Sequence, residues 1–302
     1  MSKVLVNEFS WSVSRQRSFD ECKRKYYYTY YGSWDGWNHD ADETKRKCYM
    51  LKNMSNLPMF TGSVVHEVVQ EILERMRDGK ESDPAERAMV AENRLLKGIK
   101  QSEEGEWKKN SKQYINLFEH YYGGGINSVT LDTCKTAVMQ CTTALFSNRI
   151  FERIKLTAPV QWRSIELLES TKVDAYKVWV KFDFALEINN EFHIVDWKTG
   201  REHEEDLAQL ACYAFYAKNT KGIDPDKIAL TLVYLRDNTW RTERITGEQV
   251  DDVRKAIVTN CVAMQELLDD KENNVASEKM FPKTDKKYKC KRCNYKELCG
   301  EK

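Results

Sequence analysis

Asp196 and Lys198 close the apolar run FHIVDWKTG at residues 192–200. On a strand, a carboxylate and an ammonium two residues apart share one face. Phe192, Ile194 and Val195 predict that strand, and Thr199–Gly200 predicts its end. Alone, such a triplet usually decorates a solvated edge. The preceding segment, VWVKFDFALEINNEF, predicts a partner strand turning at Asn189–Asn190, residues that tolerate the positive φ of a tight hairpin. With those two as the loop, Ile188 faces Glu191, Glu187 faces Phe192, and Asp183 faces Asp196, with Cβ atoms about 5 Å apart. Two carboxylates so placed repel one another, and a divalent cation held by their oxygens relieves the repulsion. A shared proton, a slipped register or plain pairing with lysine would relieve it too. The same register sets Lys181 opposite Lys198, a clash that a bulge would remove.

Two further polar positions sit on predicted helices. In EEDLAQLACYAFY, Gln209 and Tyr213 stand four residues apart on one face, beside the Leu207, Leu210, Ala211, Ala214 stripe. His66, in FTGSVVHEVV, lies at the edge of the stripe formed by Val65, Val68, Val69, Ile72, Leu73 and Met76. A lone histidine there is usually a satisfied core residue.

The cysteines carry a separate signal. The tail KYKCKRCNYKELCG spaces Cys290, Cys293 and Cys299 as metal ligands. A tetrahedral site needs a fourth, which Cys22 supplies if the chain ends meet. Four thiolates suit zinc or an iron–sulfur cluster equally. Cys48, Cys134, Cys141, Cys212 and Cys261 lack such spacing and are expected to be buried apolar residues. Basic and aromatic residues interleave at 283–296 and again at Lys23–Tyr28, predicting a surface for a phosphate backbone.

These residues need a scaffold. The chain of 302 residues is 41% hydrophobic and 31% charged, with net charge +1, so it can build a core and has no global cationic field. No apolar stretch is long enough to span a membrane, and the first residues predict no export signal. Nine cysteines without such a signal point to reduced thiols or metal ligands in the cytoplasm. A helix is predicted over 61–77, and one near the N-terminus is capped by Ser14 or Ser18. Polar helices follow over 84–148, interrupted at Gly123–Gly125. Three strands are predicted at 160–169, 174–188 and 191–198, then a helix at 203–219, strands at 227–236 and 239–245, and a helix at 247–270. That order predicts a mixed α/β or α+β fold in a single domain, 1–302, with no repeats.

Taken in order, Gly62-x-x-x-His66, Asp183, Asp196-x-Lys198 with Thr199–Gly200, and Gln209-x-x-x-Tyr213 resemble the RecB-like branch of the PD-(D/E)xK nucleases. The resemblance covers most of the chain; residues 79–157 read as a helical insertion. Val180 stands where that branch often has glycine. The resemblance implies a restriction-endonuclease-like α-β-β-β-α-β core and a Mg2+- or Mn2+-dependent deoxyribonuclease. In such an enzyme His66, Asp183, Asp196 and the Trp197 carbonyl hold the metal, Lys198 assists the chemistry, and Gln209 and Tyr213 position DNA. Ser12, Ser14, Phe19, Cys22 and Tyr26 with the three tail cysteines resemble the iron–sulfur members, such as AddB-type and CRISPR-associated RecB-like exonucleases. That likeness implies a 4Fe–4S cluster on Cys22, Cys290, Cys293 and Cys299, joining residues 1–35 and 280–302. Exonuclease action on single strands or DNA ends, with a helicase or other DNA-processing protein as partner, would then be expected. The alternatives are a catalytically silent DNA-binding subunit of a helicase–nuclease or adaptation complex, or an RNA-directed nuclease.

Overall fold

The structure is a computed structural model that describes residues 5–202 and 205–300. Short helices α1 (Val13–Glu21), α2 (Lys23–Tyr27) and α3 (Glu43–Lys52) precede the long α4 (Leu57–Arg77) and α5 (Pro84–Glu103). Next come α6 (Phe118–Tyr121), α7 (Ser128–Ser147) and α8 (Arg149–Lys155). The strands β1 (Trp162–Ile165), β2 (Leu168–Val173), β3 (Tyr176–Lys181), β4 (Phe184–Ile188) and β5 (Glu191–Lys198) then run in succession. They are followed by α9 (Glu205–Lys221), β6 (Ile228–Tyr234), β7 (Thr239–Glu243), α10 (Gly247–Gln265) and α11 (Lys287–Cys290).

A mixed α+β architecture results. One sheet has the order β1-β4-β5-β6-β7, with β5 and β6 parallel across the α9 crossover and the other pairs antiparallel. One face packs on α4, α5, α7 and α8 through Val64, Val68, Leu95, Leu145 and Trp197. The other packs on α9 and α10 through Ile194, Leu230, Ala214 and Ile257. Helices α5, α7 and α8 thus share one continuous core with α4 and the sheet. Gly98 of α5 permits the closest approach, because a Cβ there would lie 2.2 Å from Phe60 of α4.

Local chemistry sets the boundaries. The α4 helix starts four residues before the predicted start, where the Asn56 side chain accepts from Met59 N and Pro58 sits in the first turn. Ser12, not Ser14 or Ser18, caps α1 by accepting from Arg15 N. The turn at Asn189–Asn190 has φ of 51° and 63°, and β4–β5 pairs Ile188 with Glu191 and Glu187 with Phe192, in the expected register.

Two predicted strands are each divided. Residues 174–188 break at Phe182–Asp183, so that β3 leaves the main sheet and pairs with β2 in a separate hairpin, with Trp11 bridging to Val178 on its other side. The 160–169 segment breaks likewise at Glu166, whose φ of 52° lies in the left-handed region. Lys181 is therefore not opposite Lys198. It belongs to the second hairpin, and its ammonium lies 2.5 Å from Glu166.

The chain ends meet. Arg24 N donates to Pro282 O (3.1 Å), and the Arg24 side chain donates to Phe281 O (2.7 Å) and pairs with Glu278. Asn294 donates to the carbonyls of Leu51 and Met54 at 3.0 and 2.8 Å. Tyr28, Cys48, Leu51, Met54 and Tyr295 form a small third core beneath. Among the described residues, no helix is long and apolar enough to cross a membrane.

Candidate active site

At the C-terminal end of β5 the sheet loses a neighbour. The β4 ladder stops at Phe184–Val195, so Asp196 and Trp197 extend beyond it. Asp183, one residue ahead of β4, fills the gap, and its Oδ2 accepts from Trp197 N at 2.8 Å. Since a strand residue's N–H and C=O point to the same side, the Trp197 carbonyl is directed to that side too. Lys198 O is engaged on the opposite side by Leu235 N (2.8 Å).

Helix α4 brings His66 from one layer, and α9 brings Gln209 and Tyr213 from the other. His66 Nδ1 lies 3.5 Å from Asp183 Oδ2 and 3.4 Å from Glu166 Oε1. Asp196 Oδ1 accepts from Tyr213 (3.0 Å) and Gln209 (3.3 Å). Lys198 Nζ lies 2.7 Å from Asp196 Oδ2 and 3.4 Å from Asp206, and donates to Gln209 Oε1 at 3.1 Å. His66, Asp183, Asp196, Trp197, Lys198 and Gln209 line one cavity of about 300 Å³. Gly62 matters one turn earlier, because a Cβ there would press to 3.1 Å on the Thr199 hydroxyl at the end of β5. A side chain there would require the Thr199 hydroxyl to give by a few tenths of an ångström, where α4 meets the end of β5.

The electrostatics are those of crowded acids. Burial and the Asp196 charge push Asp183 up to about 8. Burial alone would lower His66, but Asp183, Glu166 and Asp196 outweigh it and raise the imidazole to about 9. Glu166 is held below the ordinary carboxylate range: its burial is outweighed by hydrogen bonds with His66 and Lys181. Lys198 is raised, the pull of Asp196 overcoming desolvation.

The donor set fits a divalent cation. Ligand atoms of His66, Glu166 and Asp183 all lie within 4.8 Å of one another. Asp196 stands outside that group but lines the same cavity, its buried Oδ2 paired with the Lys198 ammonium at 2.7 Å. Oxygen-rich sites with one imidazole suit Mg2+ or Mn2+.

Sequence reasoning missed two residues. Glu166 had no local signal, because its approach to His66 spans 100 residues and depends on the turn between β1 and β2. Asp206 had one: Asp206, Gln209 and Tyr213 stand at i, i+3 and i+7, one helical face.

Cys22, Cys290, Cys293 and Cys299 line a second, small cavity together with Lys25, Lys283, Lys289 and Lys296. No three of these sulfurs lie within 4.8 Å of one another. Cys48, Cys141, Cys212 and Cys261 are buried, with burial pushing each thiol up to about 11 or 12, as inert core residues require. The expected phosphate-binding surface at the chain ends is only partly available. Tyr26, Tyr28 and Tyr295 are core residues, Arg24 is spent on Glu278, and Lys296 packs over Tyr122 at 4.4 Å.

The fold and this strand-end cluster of acids, histidine and lysine are those of a metal-dependent nuclease. The chain matches the PD-(D/E)XK nuclease superfamily over residues 10–300 and belongs to it. A search of the curated proteins finds no match.

Proposed function

We propose that the protein is a RecB-like, Mg2+- or Mn2+-dependent deoxyribonuclease of exonuclease type, acting on single strands or DNA ends. The observation that carries this reading is the convergence of His66, Asp183, Asp196 and Lys198 at one strand end, where all four line one cavity. His66, Asp183, Asp196 and the Trp197 carbonyl would hold the ion, and Glu166 joins them as a fifth donor. Bound there, a divalent ion lowers the pKa of water and neutralises charge on the phosphate.

The chain's own groups do the rest. Lys198, kept charged by Asp196, is a compact donor for the attacking water or the developing negative charge. Gln209 and Tyr213 fix the Asp196 carboxylate in orientation; Gln209 lines the cavity and faces the strand to be cut, whereas Tyr213 is buried and acts only through Asp196, not by the direct DNA contact expected of it. Asp206 anchors Lys198 from α9. All the reactive residue types are present, which favours an active enzyme over a silent subunit. Digestion of end-labelled single- and double-stranded DNA and RNA in Mn2+ should release short deoxynucleotide products progressively from one end. Cleavage of RNA alone, or of no substrate, would overturn the reading.

Glu166 makes a separate expectation. Glu166→Gln should weaken Mn2+ binding roughly 10–100-fold by calorimetry, as loss of a ligand or its close support does elsewhere. An unchanged affinity would leave Glu166 merely as the partner of Lys181.

A 4Fe–4S cluster on Cys22, Cys290, Cys293 and Cys299 completes the proposal. Zinc holds four thiolates about 2.3 Å from one centre, which draws the sulfurs close together. A cubane binds each thiolate to a different iron, and the resemblance to the iron–sulfur members together with the one cavity that all four cysteines line supports it. Residues 1–35 and 280–302 would form the cluster subdomain of a single 1–302 nuclease domain.

A further inference from the structure

A large groove of about 1100 Å³ lies away from both cavities, between α3, the loop before it and the segment 107–112. Six cations line it and one acid, Glu43, among the described residues. Lys47 is paired with Glu297 at 3.2 Å. Arg46, Lys52, Lys108, Lys109 and Lys112 have no carboxylate partner among the described residues. In a chain of net charge +1, five cations on one groove without a carboxylate partner, two of them (Lys52 and Lys108) lying over the Tyr30 and Trp107 rings, are a local concentration that folding alone does not require. Three aromatic rings interleave with them. Trp37 is 40% exposed and braced edge-on by Trp34 and Tyr49. Trp107 is braced by Tyr121 at 5.4 Å.

Cations that track a phosphate backbone, alternating with ring faces on which bases stack, are the requirements of a single-strand site. A duplex keeps its bases stacked on one another and has no face to offer Trp37. The chain that builds the groove continues to the active site. Helix α3 leads into α4 through residues 53–56, and a second groove runs along α4 from Met59 past Gly62 and Ser63 to His66 and Asp183. Met59 and His66 are seven residues apart, about 10 Å along a helix.

We infer that the Arg46–Lys52–Lys108–Lys109–Lys112 groove, with Trp37 and Trp107, binds a single-stranded nucleic acid and delivers it along α4 to the strand-end site; the delivery rests on the nuclease reading, the binding does not. The probes are labelled 20-nucleotide single strands of DNA and of RNA, the matching duplex, and bis(p-nitrophenyl) phosphate, which reports the catalytic site alone. The triple variant Arg46→Ala/Lys109→Ala/Lys112→Ala should bind the DNA strand at least tenfold more weakly. Its plot of log affinity against log salt should flatten by about 2, at about 0.7 per lost phosphate contact. Trp37→Ala should weaken binding roughly tenfold with no change in that slope, because it removes a stacking face and not a charge. Both variants should turn over the small ester as the wild type does and keep its circular-dichroism spectrum at the assay temperature. Equal losses with RNA would show a groove blind to the sugar, as backbone and stacking contacts imply, and would support the inference. Unchanged single-strand affinity in both variants would overturn it. So would equal losses for duplex and single strand, or poly-glutamate competing as well as the oligonucleotide with no effect of Trp37→Ala. If the wild type does not cleave the small ester, the nuclease reading fails while the binding data still decide the groove.

Discussion

Asp183→Asn is expected to lower metal-dependent cleavage by several orders of magnitude while making the metal-free protein more stable. The two effects have one cause. Asp183 is buried beside Asp196 and is pushed up to about 8 from an ordinary 3.8. Between those values the folded chain holds a proton that the unfolded chain has released, so folding stability falls as pH rises through that window. His66, raised from 6.5 to about 9, acts in the same direction at higher pH: what it contributes is present below 6.5 and lost as pH rises through 9. An asparagine removes the acid's share, and its carbonyl can still accept from Trp197 N. Wild-type melting should therefore drop between about pH 4 and 8 without metal, and the variant's should drop less. Mn2+ should restore the wild type, by about 2.7 kcal/mol at a hundred times its dissociation constant, and leave the variant nearly unmoved. Near-wild-type cleavage by the variant, or an equal Mn2+-induced rise in its melting temperature, would remove Asp183 from the metal site.

The legible part of this site was the part made by local geometry. A two-residue Asn–Asn turn fixed the hairpin register, and the register alone brought Asp183 beside Asp196. Helical spacing likewise placed Gln209 and Tyr213 together on α9. The break at Phe182–Asp183 could not be seen, because Val178, Val180, Phe182 and Phe184 are all buried and keep a period of two straight through it. Neither glycine nor proline marks the point where the chain changes sheets. Lys181 thus seemed to oppose Lys198 when it belongs to another hairpin. Glu166 and the basic groove were hidden for a related reason. They are assembled from segments far apart in the chain, and nothing in any one segment announces the others. The aromatic run at Tyr26–Tyr28 misled in the opposite sense: its rings pack on Phe281 and Tyr295 and form the joint between the N- and C-terminal segments.

That joint sets the second large effect. Cys22 and Cys290 are 268 positions apart (290 − 22), yet they line one cavity with Cys293 and Cys299. The hydrogen bonds of Arg24 and Asn294 already hold the ends together, so the cysteines are presented as a group before any cluster binds. Burial pushes the Cys293 thiol up to about 11 against the opposing pull of Lys25, and burial likewise raises Cys299 against the pull of Lys283. Protein purified without oxygen should be brown and carry about four irons per chain. Cys22→Ser should bleach it as completely as Cys293→Ser. Each should also lower the melting temperature, since a site that closes almost the whole chain contributes its binding free energy to folding. Cys48→Ala is the discriminating control. Cys48 is buried in the same small core, against Tyr28 and Tyr295, so its loss costs packing but should leave colour and iron unchanged. Stoichiometric zinc without iron would keep the four-cysteine joint and replace the cluster. A Cys22→Ser protein that retains four irons would show that the tail binds its cluster without the N-terminal helix, and the joint would then rest on Arg24, Glu278 and Asn294 alone.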